Sequence, residues 1–282
     1  MIKNDDTRIR RRIVLKERCT TFYEVPNLKI ACKIGKDIVK GLNLLREAGI
    51  IHRDISASNC LIYFDEERES HCGKITDLDY CKEYLKIGAH DPISVNAEYT
   101  DVRHQGTKDF MAVEVEKGSF IGRAHRSEAP KLVFHRHYLH DLESLYWLMV
   151  WCAFVLVPVD IQQVDVEMWE KAFFQLFPFE APVKSVSGKG LALAFPGDLS
   201  SSLQECGWDE NTLAALDDLF NLGNDLRNEY ARLQKIPQEA SGGRRWAQEH
   251  FNADIYGKFS KVLDSVGSLT NSRPCGIPVG PD

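Results

Sequence analysis

No pair of the eight cysteines (Cys19, Cys32, Cys60, Cys72, Cys81, Cys152, Cys206, Cys275) is spaced as C-x-x-C. Scattered thiols in a chain of this size argue against a disulfide framework and for a reducing compartment. The charged start MIKNDDTRIRRR has no apolar segment behind it, which excludes a secretory signal. No hydrophobic run is long enough for a bilayer. The longest, Leu145 to Val159, has about 15 residues where roughly 20 are needed. Asp141 and Glu143 stand just before it, so it reads as a helix buried on all sides. An excess of positive charge is also missing: the net charge is −6. Nothing therefore favours a nucleic-acid or membrane partner. These absences together predict an intracellular protein, cytoplasmic or nuclear.

What is present is an ordinary globular composition. The 282 residues are 44% hydrophobic and 27% charged, enough for one large core or two modest ones. There is no internal repeat. Residues 10–15 end in a short β-branched run, a weak strand signal. Asn27 is a plausible N-cap. Ile34, Ile38, Leu42 and Leu45 then recur at one-turn spacing, which predicts an amphipathic helix over 28–48 stopped by Gly49. Short strands are expected at 60–64 and 73–76 around a charged turn, and loop over most of 82–110. A short helix is expected at 111–117, and basic, irregular chain at 118–137. Further helices are expected at 139–157, 168–177, 211–233 (capped by Asn211) and 246–266. Residues 181–202 read as a Pro/Gly/Ser-rich connection, with Ser187-Gly188-Lys189-Gly190 a flexible turn lacking the full phosphate-loop spacing. The end, SRPCGIPVGPD, reads as a flexible tail.

The chemistry is concentrated in Ile51 to Tyr80, IHRDISASNCLIYFDEERESHCGKITDLDY. It contains His52-Arg53-Asp54, then Asn59, then Asp77 after a second strand. Phosphoryl transfer from a nucleotide needs one carboxylate to accept the proton of the attacking hydroxyl. It also needs an amide oxygen and a second carboxylate to hold Mg²⁺ against the phosphates. H-R-D-x-x-x-x-N followed by an Asp-containing turn supplies that set. Taken singly, Asp54 and Asn59 would be turn residues and Asp77 a cap. In order, and in a strand–turn–strand context, they read as a site: Asp54 the base, Asn59 and Asp77 the metal ligands, and Arg53 a partner for a phosphate or acid.

Two later stretches make a family resemblance specific. Gly106-Thr107-Lys108-Asp109-Phe110-Met111-Ala112-Val113-Glu114 looks like the end of a kinase activation segment. His140-Asp141-Leu142-Glu143-Ser144-Leu145-Tyr146-Trp147 looks like the start of the large buried helix behind it. This ordered set resembles the fungal-type protein kinase family, with specific motifs from about Arg8 to Trp151. The resemblance implies an α+β, protein-kinase-like fold. It would be mainly the helical C-lobe at 26–270, with an N-lobe remnant and hinge at 1–25 and a tail at 271–282. It implies that Thr107 faces the substrate hydroxyl and that Asp141 braces His52 and Arg53. Glu114 would anchor the activation segment through an arginine, with Arg227 and Arg273 as candidates. Backbone near Lys16, Glu17 and Arg18 would meet the adenine. The implied function is Mg·ATP-dependent phosphorylation of Ser/Thr on a protein, with nucleotide and protein substrate as partners. A non-catalytic truncated kinase or pseudokinase module and a small-molecule phosphotransferase are the alternatives.

The pattern departs from most protein kinases in three places. Ser56 and Ser58 stand where a Lys or Arg is usual; Lys108 is a candidate replacement. The metal loop is Asp77-Leu78-Asp79, and Asp79 is expected to be exposed. Residues 1–50 contain no Gly-rich loop, which predicts an N-terminally truncated chain that covers a nucleotide on one face and binds it weakly. His135, His137 and His140 cluster, but their spacing matches no helical zinc pair. Ser94, Tyr99 and Thr100 are candidate phosphorylation sites paired with Arg53.

Overall fold

The computed structural model describes residues 16–84, 107–121, 134–159, 161, 164–178, 188–236, 246–269 and 271–274. The strand expected at 10–15 and the candidates Ser94, Tyr99 and Thr100 lie outside them. Among the described residues the protein is a mostly helical α+β structure with small sheets.

Strand β1 (Thr20–Thr21) leads through a 3-10 turn into helix α1 (Leu28–Glu47). The Asn27 side chain accepts from Ile30 N at 2.9 Å and starts the helix. Gly49, at φ +74°, ends it in the left-handed region. Strands β2 (Ile50–Ile51), β3 (Cys60–Asp65), β4 (Ser70–Ile75) and β5 (Lys82–Glu83) follow. β3 lies between β1 and β4, and β2 pairs with β5, all antiparallel. β4 begins earlier than the sequence suggested, because Asp65 accepts from Glu67 and Arg68 N and tightens the turn. Gly73 lets β4 lie directly on α1: a Cβ there would meet Ile34 O at 2.9 Å. Its N–H bonds to Asp37 at 3.0 Å.

The segment expected as one short helix at 111–117 is a 3-10 turn, Lys108–Phe110, and helix α2 (Val113–Lys117), joined by extended backbone at Met111 and Ala112. Helix α3 (Tyr138–Val155) runs through the centre. All its residues except Ser144 are buried, including Trp147 and Trp151, so the long apolar run is the core itself. Truncating either indole to alanine would cost roughly 3–5 kcal/mol. After Val155 the chain turns into strand β6 (Leu156–Pro158) rather than ending a helix at Val157.

Helix α4 (Val166–Leu176) is capped by Asp165. The connection expected at 181–202 instead carries helices α5 (Lys189–Ala194) and α6 (Gly197–Glu205). Their buried residues (Ala192, Leu193, Leu199, Leu203) are few, and Gly, Pro and Ser between them masked the periodicity. Helix α7 (Glu210–Lys235) is capped by Asp209, not Asn211, because the Asp209 carboxylate accepts from Asn211 N and Thr212 N. The helix expected at 246–266 is a 3-10 turn at Gln248–His250 and helix α8 (Asp254–Leu269). The tail is not loose at its start. Strand β7 (Ser272–Pro274) pairs with β6, and Ser272 Oγ accepts from Leu28 N at 2.7 Å. No described helix is long and apolar enough to cross a membrane.

Candidate active site

Asp54 stands in the loop between β2 and β3. Its Oδ1 accepts from Thr107 N at 3.0 Å and Thr107 Oγ1 at 3.2 Å. Its Oδ2 accepts from Asn59 Nδ2 at 2.9 Å, and the same amide nitrogen reaches Asp54 O at 3.0 Å. The structure thus brings Asp54, Asn59 and Thr107 together from two distant segments. Ser56 is fully buried and helps fold the loop: its Oγ and carbonyl accept from Asn59 N, and the carbonyl also accepts from Cys60 N.

The loop is held from behind. Asp141, in the first turn of α3, accepts from His52 N at 2.7 Å and from Arg53 N at 2.8 Å. Arg53 has φ +78°, a conformation a branched cationic side chain does not choose freely. Arg136 Nη1 donates to Arg53 O at 2.6 Å, so this residue is fixed at its N–H and its carbonyl. His52 is fully buried, and its ring bonds within the loop. Its Nδ1 accepts from Asp54 N at 3.3 Å, which leaves Nε2 to donate to Thr76 O at 3.0 Å. Thr76 N in turn donates to Asn59 O at 2.9 Å. Asp77 follows at once, at φ +59°, with Oδ1 accepting from Asp79 N at 3.3 Å. Asp77 and Asp79 are both exposed.

The segment after Thr107 is nailed to the core. Phe110 is fully buried, with its ring 6.3 Å from both Trp151 and Phe177. Glu143, fully buried on α3, accepts from Val113 N at 2.8 Å and Trp147 Nε1 at 2.9 Å, and from the Tyr230 hydroxyl.

A sequence model of the fungal protein kinase family matches residues 3–153, more than half of the chain, including Asp54, Asn59, Asp77, Thr107 and Asp141. The chain belongs to the fungal protein kinase family. It is also similar to a "Dual serine/threonine and tyrosine protein kinase" of Xenopus laevis, 38% identical over 89 residues, 30% of this chain and 9% of that protein. A "Probable serine/threonine-protein kinase gdt4" of Dictyostelium discoideum is 30% identical over 86 residues, 30% of this chain and 5% of that protein. The chain thus spans less than a tenth of the length of these curated relatives.

Within this family member, no arginine among the described residues pairs with Glu114. Arg227 donates to Ala194 O and Arg273 to Ile161 O. Glu114 Oε1 accepts from Ile121 N at 2.8 Å, and Oε2 from His140 Nε2 at 3.1 Å, with His137 Nε2 at 3.6 Å. Burial alone would raise the Glu114 pKa, but the close His137 and His140 rings outweigh it and hold the pKa at about 2. Burial, reinforced by His137, pushes His140 down to about 3, so His140 donates as a neutral ring. These three residues offer ligand-type atoms within 4.8 Å of one another, yet they do not make a metal centre. The two rings stack with centroids 3.7 Å apart and planes 24° apart. A metal must lie in the plane of each ring about 2 Å from its nitrogen, and stacked rings share no such point. His140 Nδ1 also accepts from His137 N at 3.0 Å. Metal-bound Nε2 would require that Nδ1 to be a donor.

Glu17 is not tied to the Asp54 cluster; its carboxylate pairs with Lys74 Nζ of β4 at 2.7 Å. Two residues of the scaffold escaped the sequence reading. Glu143 lay inside the HDLESL motif, but its partners Val113 and Tyr230 are far away in sequence. Lys189, read as part of a flexible turn, is fully buried at the start of α5. Its only sequence signal was a lysine followed by apolar Leu191 and Leu193.

Proposed function

We propose that the protein catalyses Mg·ATP-dependent transfer of a phosphoryl group to a Ser or Thr hydroxyl of a protein substrate. The observation that carries this is the Asp54 carboxylate held by Asn59 on one oxygen and Thr107 on the other. A carboxylate so fixed is oriented to accept the proton of a hydroxyl presented beside Thr107. Asn59 commits its nitrogen to Asp54, which leaves the amide oxygen as its cation-binding atom. Asp77 offers a second, exposed carboxylate, next in sequence to Thr76, whose N–H bonds Asn59 O. An amide oxygen and a carboxylate are hard oxygen donors and fit Mg²⁺. Bound there, Mg·ATP would supply the phosphoryl group and neutralise its charge. This chain's own residues bind the cation, orient the acceptor and take its proton.

The family match over 3–153 supports reading 1–25 as an N-lobe remnant and hinge and the chain from 26 as the start of a kinase-like helical lobe that would run to 270. Residues 106–114 resemble the end of a kinase activation segment, which favours a protein over a small alcohol as acceptor. The seven described cysteines are all free thiols, which supports an intracellular setting. Calorimetry with Mg·ATP tests the site. Saturable, Mg-dependent binding that weakens at least about tenfold in Asp77→Asn is expected. Binding in neither protein would favour the non-catalytic module.

A further inference from the structure

Lys189 is the one lysine among the described residues whose side chain is completely buried. It lies beyond the stretch matched by the family. An ammonium taken out of water is costly unless each of its three donors finds an acceptor. Here Nζ donates to Met111 O at 2.7 Å, Lys108 O at 3.0 Å and Asp109 O at 3.4 Å, with Glu116 Oε2 at 3.8 Å. The three carbonyls belong to the turn that directly follows Thr107. Within the turn, Phe110 N and Met111 N bond back to Thr107 O and Lys108 O, and the Phe110 ring packs inward against Trp151 and Phe177. Lys189 therefore grips the turn from outside, while Asp54 grips its first residue from inside. Helix α5 is fixed in turn by Leu193, which is buried in the core, and by Arg227 on Ala194 O at 2.7 Å.

We propose that Lys189 is a positioning residue for phosphoryl transfer, clamping the Lys108–Met111 backbone so that Thr107 stays on Asp54 and the protein substrate docks in register. The proposal rests on the kinase reading above. It assigns to a lysine on α5 the anchoring of the segment's backbone, a role distinct from that of Glu114, which is satisfied by His137, His140 and Ile121 N.

Lys189→Met keeps the length of the side chain and removes its donors. The comparison is Leu263→Ala on helix α8, a buried side chain that packs beside Gly35 of α1 and so loosens the core away from α5 and the turn. Both are assayed at a temperature where each is fully folded. The expected result is that Lys189→Met lowers kcat/KM for a protein substrate at least about tenfold, leaves KM for Mg·ATP unchanged, and speeds amide exchange at Thr107, Phe110 and Met111. Leu263→Ala should preserve kcat/KM within about twofold. Equal losses in the two variants, or an unchanged kcat/KM in Lys189→Met, would overturn the proposal. If the wild type transfers no phosphate, the kinase reading fails by itself. The exchange rates then judge the clamp: unchanged exchange at the three amides in Lys189→Met would overturn it, and faster exchange confined to them would support it.

Discussion

The Asp141 carboxylate accepts two successive backbone N–H groups, those of His52 at 2.7 Å and Arg53 at 2.8 Å. One side chain thereby fixes a strained turn whose next residue is Asp54. Asp141→Asn replaces one acceptor oxygen with a donor that faces an N–H. The orphaned N–H should cost about 1–3 kcal/mol. Since Arg53 would relax from φ +78°, Asp54 should shift, and kcat should fall about 10²-fold with a smaller change in nucleotide affinity. A kcat within about threefold of wild type would show that the turn holds without this bridge.

Thr107 reaches Asp54 through both its N–H and its hydroxyl. Thr107→Val keeps the shape and the backbone bond and removes only the hydroxyl. A hydrogen bond to a charged group is worth about 1.5–3 kcal/mol, so a loss of about tenfold or more in kcat is expected, with a thermal midpoint close to wild type. Steady-state kinetics beside a melting curve separates the two effects. An unchanged kcat would leave only the backbone bond as the orienting contact.

The Glu114–His140 pair predicts an acid-labile fold. The folded His140 pKa of about 3 lies below its ordinary 6.5, so the unfolded chain binds this proton first. Its contribution is present above about pH 6.5 and is lost as pH falls toward 3. Glu114, held at about 2 against an ordinary 4.5, adds a loss in the same direction below about pH 4.5. Each group adds a slope of roughly 1.4 kcal/mol per pH unit where it titrates on unfolding. Denaturant titrations between pH 7 and pH 4 should show stability falling, and His140→Gln should flatten the upper part of that fall. The same slope in both proteins would contradict the assignment of a neutral His140.

How far the sequence announces all this depends on how local the chemistry is. Asp54, Asn59 and Asp77 lie in one short stretch, and their order is itself the signal. Asn27 and Gly49 bound α1 through contacts within a turn of chain, so both ends were readable. Lys189, by contrast, meets the carbonyls of Lys108 and Met111, and nothing near Lys189 in sequence records that. Backbone carbonyls carry no residue identity, so an anchor that binds them leaves no pattern at its partner. For Glu114 the family resemblance implied an arginine partner, and no feature of the local sequence pointed to the histidines at the start of α3. His140, stacked on His137, does the work instead, an arrangement visible only once α3 is in place. Helices α5 and α6 were hidden because Gly188, Pro196 and Gly197 read as breakers, whereas Gly188 and Pro196 sit at helix caps.

The most direct test is transfer of radiolabelled γ-phosphate from Mg·ATP to a protein acceptor, measured for the wild-type protein and for Asp54→Asn. The account predicts Mg-dependent label on Ser or Thr of the acceptor by the wild type, reduced at least about 10²-fold in Asp54→Asn, with Mg·ATP binding retained in the variant. Label transferred equally by both proteins, or by neither despite Mg·ATP binding to both, would contradict it.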